Sequence, residues 1–143
     1  MSIADVEKID DRGIAAWDSR DAAGFAELLA DDFTFSDVSL PEPLRSRDQV
    51  REYMETWFTA FPDMRSKTTN RVVSEDQVAA EVEFTGTHTG PLAMGGQQIP
   101  ATGWTITGAG TYFVSVLDGK IVSFSAHPDV VVLMGQLGLL PGT

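Results

Sequence analysis

The sequence predicts an α+β fold, and three observations predict it. Apolar residues recur at helical spacing between Ile3 and Phe61, they alternate at period two between Val78 and His127, and only one short strand falls among the helices. Segregation of this kind packs helices on one face of a curved, mostly antiparallel sheet.

Residues 3–20 carry Ile3, Val6, Ile9, Ala16 and Trp17 at helical spacing, with acids and Arg12 between them. Asp21 is placed to cap a short helix bearing Phe25, Leu28 and Leu29, and Phe33-Thr34-Phe35 reads as a short strand. Ser46-Arg47-Asp48-Gln49 matches a capping box, opening a helix through Val50, Tyr53, Met54, Trp57 and Phe58 that stops at Phe61-Pro62-Asp63. Val78, Ala80, Val82, Phe84 and His88 then alternate with Glu81, Glu83, Thr85 and Thr87, which predicts a strand with one buried face. After a Gly- and Pro-rich loop, Gly90 to Gly103, residues 104–116 and 120–127 form two strands joined at Leu117-Asp118-Gly119. A last apolar helix runs from Val130 to Leu137, closed by Gly138 with Pro141 beyond.

Composition narrows the function. The 143 residues fit one domain, 1–143, and 43% hydrophobic content is enough for a real core. A formal charge of −11 repels phosphate backbones and argues against nucleic acid as a partner. With no cysteine and only His88 and His127, thiolate metal sites and thiol nucleophiles are excluded and no metal site is expected. No stretch has the roughly 20 apolar residues of a membrane span, and the N-terminus has no signal-peptide pattern, so the expected compartment is the cytoplasm.

Five segments in order carry a likeness: Leu28-Leu29-Ala30-Asp31-Asp32-Phe33, Ala60-Phe61-Pro62-Asp63-Met64, Phe84-Thr85-Gly86-Thr87-His88-Thr89-Gly90, Asp118-Gly119-Lys120-Ile121-Val122, and Gln136-Leu137-Gly138-Leu139-Leu140-Pro141. With them the chain resembles the SnoaL-like polyketide cyclases of the nuclear transport factor 2-like superfamily. The resemblance implies a half-open cone, a curved sheet under an N-terminal helical lid, whose interior takes a hydrophobic small molecule. It also implies intramolecular aldol chemistry without metal or organic cofactor, while related branches isomerise, dehydrate or open epoxides. Some members of the superfamily are non-catalytic binding modules.

The aldol cyclases use an aspartate at the end of the last strand with a histidine two residues earlier, here His127-Pro128-Asp129. Alternation puts Ile121, Ser123, Ser125, His127 and Asp129 on one face. A carboxylate at the mouth of an apolar pocket has its pKa raised and can move a proton beside a carbonyl, with His127 orienting it or donating to the developing enolate oxygen. The same Asp129 precedes a helix and suits an N-cap. Asp37 is a second pocket carboxylate or a turn residue before Pro41 and Pro43, and Ser36 stands where many relatives carry histidine. His88 reads as a structural histidine; Trp17, Trp57 and Phe61 are core or pocket wall. Hydration or epoxide opening would want a cation near the carboxylates, with Arg71 and Arg45 the candidates.

A three-residue loop at Leu117-Asp118-Gly119, the favoured reading, brings Thr107, Thr111, Phe113 and Ser115 onto the face of His127, which makes Phe113 and Ser115 pocket candidates; a two-residue turn at Asp118-Gly119 would bring Gly108, Gly110 and Tyr112 there instead. Trp104, Ile106, Tyr112, Val114, Val116, Val122 and Phe124 are then expected on the outside, where so much apolar surface would need a homodimer partner.

Overall fold

The computed structural model describes residues 1–94 and 96–141, so Gly95, within the predicted Gly90–Gly103 loop, lies outside the described residues. Helices α1 (Ile3–Asp18) and α2 (Ala22–Glu27) lead into strand β1 (Leu29–Asp37), and α3 (Arg47–Ala60) follows. Then come β2 (Arg65–Val73), β3 (Gln77–Thr87), a small β4 (Leu92–Met94) and β5 (Gln97–Ile99) hairpin, β6 (Thr105–Leu117), β7 (Lys120–Pro128) and α4 (Val130–Gln136). The main sheet has the order β1-β7-β6-β3-β2; β1 runs parallel to β7 and the other neighbours are antiparallel. This is an α+β fold, a curved, unclosed, mostly antiparallel sheet with α1, α2 and α3 over its concave face.

Local chemistry sets the element ends. Ser46 accepts the Gln49 amide at 3.2 Å while Gln49 reaches back to the Ser46 amide, so the predicted capping box forms at α3. Ser2 and Asp5 make the same reciprocal pair at α1, and Asp21 caps α2 through the Gly24 amide at 2.9 Å. Strand β2 escapes the sequence pattern because it is an edge strand with most side chains exposed and a bulge between Thr68 and Asn70.

The β6–β7 turn is the two-residue alternative and not the favoured three-residue loop. Leu117 pairs with Lys120 across a two-residue turn in which Asp118 and Gly119 both have positive φ, 50° and 79°, a backbone twist that suits a tight hairpin. Val122 is then an extra residue, because Val116 pairs with Ile121 but Ser115 with Ser123. The bulge restores the parity of a three-residue loop, two residues further along, so Thr111, Phe113 and Ser115 do share a face with Ser123, Ser125 and His127. Ile121 does not, since the bulge turns it inward, where it is buried.

Which face is inside is the main correction. Ile106, Tyr112, Val114, Val116 and Phe124 belong to the concave side under the helices, packed in or against the buried cores. The outward side carries Thr111, Phe113, Ser115, Ser123, Ser125 and His127, and Phe113 is 46% exposed. The apolar set expected to seek a homodimer partner is thus covered by the chain's own helices, apart from Trp104, which is exposed before β6, and the half-buried bulge residue Val122. Among the described residues no helix is long and apolar enough to cross a membrane.

Candidate active site

The register assembles the concave face in transverse rows. Phe35, Phe124, Val114, Val78 and Val73 are successive partners across β1, β7, β6, β3 and β2, an apolar row. The next row on that face reads Asp37, Ala126, Tyr112, Ala80 and Arg71, so polar and small residues alternate across the whole sheet. Adjacent strands lie about 4.8 Å apart, so the Cα atoms of Asp37 and Tyr112 flank the Ala126 methyl at about 10 Å. Small side chains in this row leave room above it.

A cavity of about 190 Å³ occupies that room. Ile9, Asp10, Gly13, Ile14 and Trp17 of α1 form one wall, and Tyr53 and Trp57 of α3 another. Phe35, Phe61, Phe84, Tyr112 and Phe124 complete a largely aromatic lining, and no lysine, arginine or histidine lines it. The rings hold one another at aromatic distances: Phe35 stacks on Phe124 at 4.7 Å, Tyr112 on Phe124 at 5.5 Å, and Trp57 on Phe61 at 6.0 Å.

Three aspartates reach this lining: Asp18 accepts the Ser66 hydroxyl at 3.1 Å, and the buried Asp10 and Asp37 are each joined to a tyrosine. Asp37, 7% exposed, takes the Ser39 amide at 2.7 Å and the Ser39 hydroxyl at 2.6 Å on Oδ1, while the Tyr53 hydroxyl donates to Oδ2. Burial, reinforced by the Asp37 charge, pushes the Tyr53 pKa well above the usual tyrosine value, so the phenol stays a donor. Asp10, 4% exposed, accepts the Tyr112 hydroxyl at 2.8 Å on Oδ1 and Arg71 at 3.0 Å on Oδ2. Burial raises the Asp10 pKa against the opposing pull of Tyr112 and Arg71, and burial with the Asp10 charge raises that of Tyr112. Arg71 also meets Asp11 at 2.7 Å and Glu7 at 3.2 Å, so it buttresses α1 from behind.

The structure separates the residues that the sequence reading brought together. Trp17, Trp57, Phe61 and Asp37 line the cavity. Asp37 also caps its turn, so both roles foreseen for it belong to one carboxylate. Ser36 falls between Phe35 and Asp37 on β1 and faces the other side, beside Ser125. His127 and Asp129 are exposed and share a shallow outer groove with Glu81, Glu83 and Thr111; they do not stand at the mouth of the aromatic cavity. Asp129 caps α4 through the Val132 amide at 3.1 Å, and the His127 ring meets Phe113 edge-on. Phe113 and Ser115 lie on that outer side too and are not cavity residues. The physical reason is the sheet's choice of face: the larger apolar side chains went under the helices, and the Ser/Thr set went out.

His88 is fully buried, with Nδ1 3.0 Å from the Thr102 hydroxyl and accepting the Thr102 amide at 3.3 Å; burial lowers its pKa and keeps it neutral. Its ring packs on Phe61 at 5.3 Å, behind the cavity wall. Arg45 is exposed, and Arg71 does not line the cavity. Among the described residues no cluster of His, Asp or Glu is placed to hold a metal. Tyr53, Asp10 and Tyr112 are the site residues the sequence reading missed. Asp10 had a signal: it falls on the apolar stripe of α1, with Gly13, Ile14 and Trp17 one and two turns on.

Comparison with known proteins agrees with this architecture. AclR from Streptomyces galilaeus, described as a candidate hydroxylase, superposes with a TM-score of 0.83 at 27% identity, over 99% of this chain and 86% of its own. A candidate SnoaL-like polyketide cyclase from Jannaschia sp. CCS1 gives 0.84 at 18% identity, covering 96% and 94%. IdmH from Streptomyces antibioticus, a candidate polyketide cyclase, gives 0.76 at 24% identity, covering 92% and 97%. No curated protein matches the sequence. The profile of the SnoaL-like polyketide cyclases matches residues 7–137, nearly the whole span from the first helix to the last, and the chain belongs to that family.

Proposed function

We propose that this protein is a cofactor-independent enzyme of the cyclase or isomerase kind, acting by acid–base chemistry on a hydrophobic, polycyclic or polyketide-like ketone held in the aromatic cavity. The observation that carries the proposal is Asp37, a buried carboxylate on the cavity wall, held by Tyr53 and Ser39. Two bonds occupy Oδ1 and one occupies Oδ2, which leaves Oδ2 a lone pair for a substrate proton. Asp37 would take the proton from the carbon beside the ketone. The resulting enolate carbon bonds to a second carbonyl carbon, and the new alkoxide recovers the proton from Asp37. Return of the proton to another carbon instead gives isomerisation. Tyr53 orients the carboxylate, and the aromatic walls exclude water and hold the chain folded for ring closure.

An open cavity favours this reading over a non-catalytic module whose pocket is filled by its own side chains. Hydration or epoxide opening is less well supported, because Arg71 stands outside the lining and pairs with Asp10, Asp11 and Glu7, not with Asp37. The test is a panel of aromatic polyketide esters and cyclic ketones, with Asp37→Asn and Asp129→Asn compared with wild type. Asp37→Asn should lower turnover by about 10²–10⁴-fold with KM little changed. Asp129→Asn should turn over as wild type does, because Asn caps a helix about as well as Asp. The opposite pattern would return the acid–base role to Asp129 and His127 in the outer groove and sink the assignment to Asp37.

A further inference from the structure

We infer that Tyr112 and Asp10 form a second polar pole of the cavity, which selects substrates carrying a hydroxyl or phenol at the end remote from the reacting ketone; this rests on the reading of Asp37 and the cavity given above. The Tyr112 hydroxyl spends its proton on Asp10 Oδ1, and Arg71 occupies Oδ2 from behind α1. What the pair then offers to the cavity, whose wall includes both residues, is acceptor capacity: the lone pairs of the Tyr112 oxygen and of the Asp10 carboxylate. Acceptors of this kind recognise a group that donates a hydrogen bond. A ketone or ether oxygen placed there would face lone pairs and gain nothing.

The placement fits a planar aromatic substrate. Asp37 and Tyr112 stand on either side of the Ala126 methyl in one row of the sheet, about 10 Å apart at Cα. A flat ring system lying over Ala126 therefore has a polar group at each end and the aromatic lining of the cavity around it. Arg71 holds Asp10 in place and pulls its carboxyl toward the ionised form against burial, and bonds to ionised groups are the stronger ones. An Asp on the apolar stripe of α1 is otherwise a cost to the fold, because burial raises its pKa.

The test uses α-tetralone and 6-hydroxy-α-tetralone as probes, with quenching of Trp17 and Trp57 fluorescence as readout, because both indoles line the cavity. Wild type should bind the hydroxylated ketone at least about tenfold more tightly, the gain expected of one hydrogen bond to a charged pair. Tyr112→Phe keeps the ring and its stacking on Phe124 but removes the hydroxyl, and should bring the ratio close to one. Asp10→Asn, which leaves Tyr112 in place, should lower the ratio as well. A wild-type ratio near one, or a ratio unchanged in both variants, overturns the recognition pole while leaving the Asp37 chemistry standing. If neither ketone quenches the wild-type protein, the cavity reading falls and this inference falls with it.

Discussion

Asp10 shows how one residue links fold stability to the site. Its carboxylate is buried among Ile9, Gly13 and Tyr112, and burial lifts its pKa above the ordinary aspartate value. Below about pH 4 the group is protonated in both folded and unfolded chains and its ionisation costs nothing. As the pH rises through the raised folded pKa, the unfolded chain releases the proton more readily, so stability is lost. Asp10→Asn removes that dependence. Urea unfolding of wild type and variant between about pH 4 and pH 7 should show the difference moving in the variant's favour as the pH rises, and levelling once the folded carboxyl has ionised. A difference that stays constant over that range would mean the buried carboxylate does not titrate as argued. The residue was legible in principle. Asp10 sits on the same stripe as Ile9 and Trp17, so its angle on the helix marks it for burial although its residue type does not.

At the scale of elements, side chains in the segments that carried the family resemblance fasten one element to the backbone of another. Asp63, just after α3, accepts the Thr87 amide at 2.7 Å and the Thr87 hydroxyl at 2.9 Å at the end of β3. Those bonds lower the Asp63 pKa, so this clasp is present above the ordinary aspartate pKa and is lost as the pH falls through the lowered one. On the neighbouring strand β6, opposite Thr85, Gln136 of α4 pairs with the Thr107 backbone, accepting its N–H at 2.7 Å and donating to its carbonyl at 2.6 Å. In both cases a motif recognised as a string of letters is a side chain satisfying another element's backbone. Asp63→Ala should therefore speed hydrogen exchange at the Thr87 amide and leave the Thr107 amide as protected as before; an unchanged Thr87 rate would show that the strand end holds without the clasp. Helix ends were readable because caps are local, Ser46 with Gln49 and Asp21 with Gly24. Strand β2 was not, because an exposed edge strand with a bulge has no alternation to read.

For the whole molecule the decisive question is which side of the sheet the helices cover. Alternation along β6 and β7 defines two sets of side chains, but period two alone does not say which set is inside. The His127-Pro128-Asp129 pattern drew the Ser/Thr set inward on paper, whereas burial of Val114, Ile106 and Val116 shows the bulkier set under α1, α2 and α3. Volume was the unused signal: a face of Tyr112, Val114 and Phe124 can line a core, and one of Ser115, Ser123 and Ser125 cannot fill one. The consequence is measurable. On the outside, Val114 would be part of an interface, and Val114→Ala would loosen a dimer while sparing the fold. Inside, at 2% exposure beside Phe124, the same change opens a cavity in the core. It should cost on the order of 2 kcal/mol of unfolding free energy and leave the state of association unaltered. Urea denaturation and light scattering on the same preparations separate the two outcomes. A variant that dissociates at unchanged stability would put Val114 on the outer surface and reverse the orientation of the sheet.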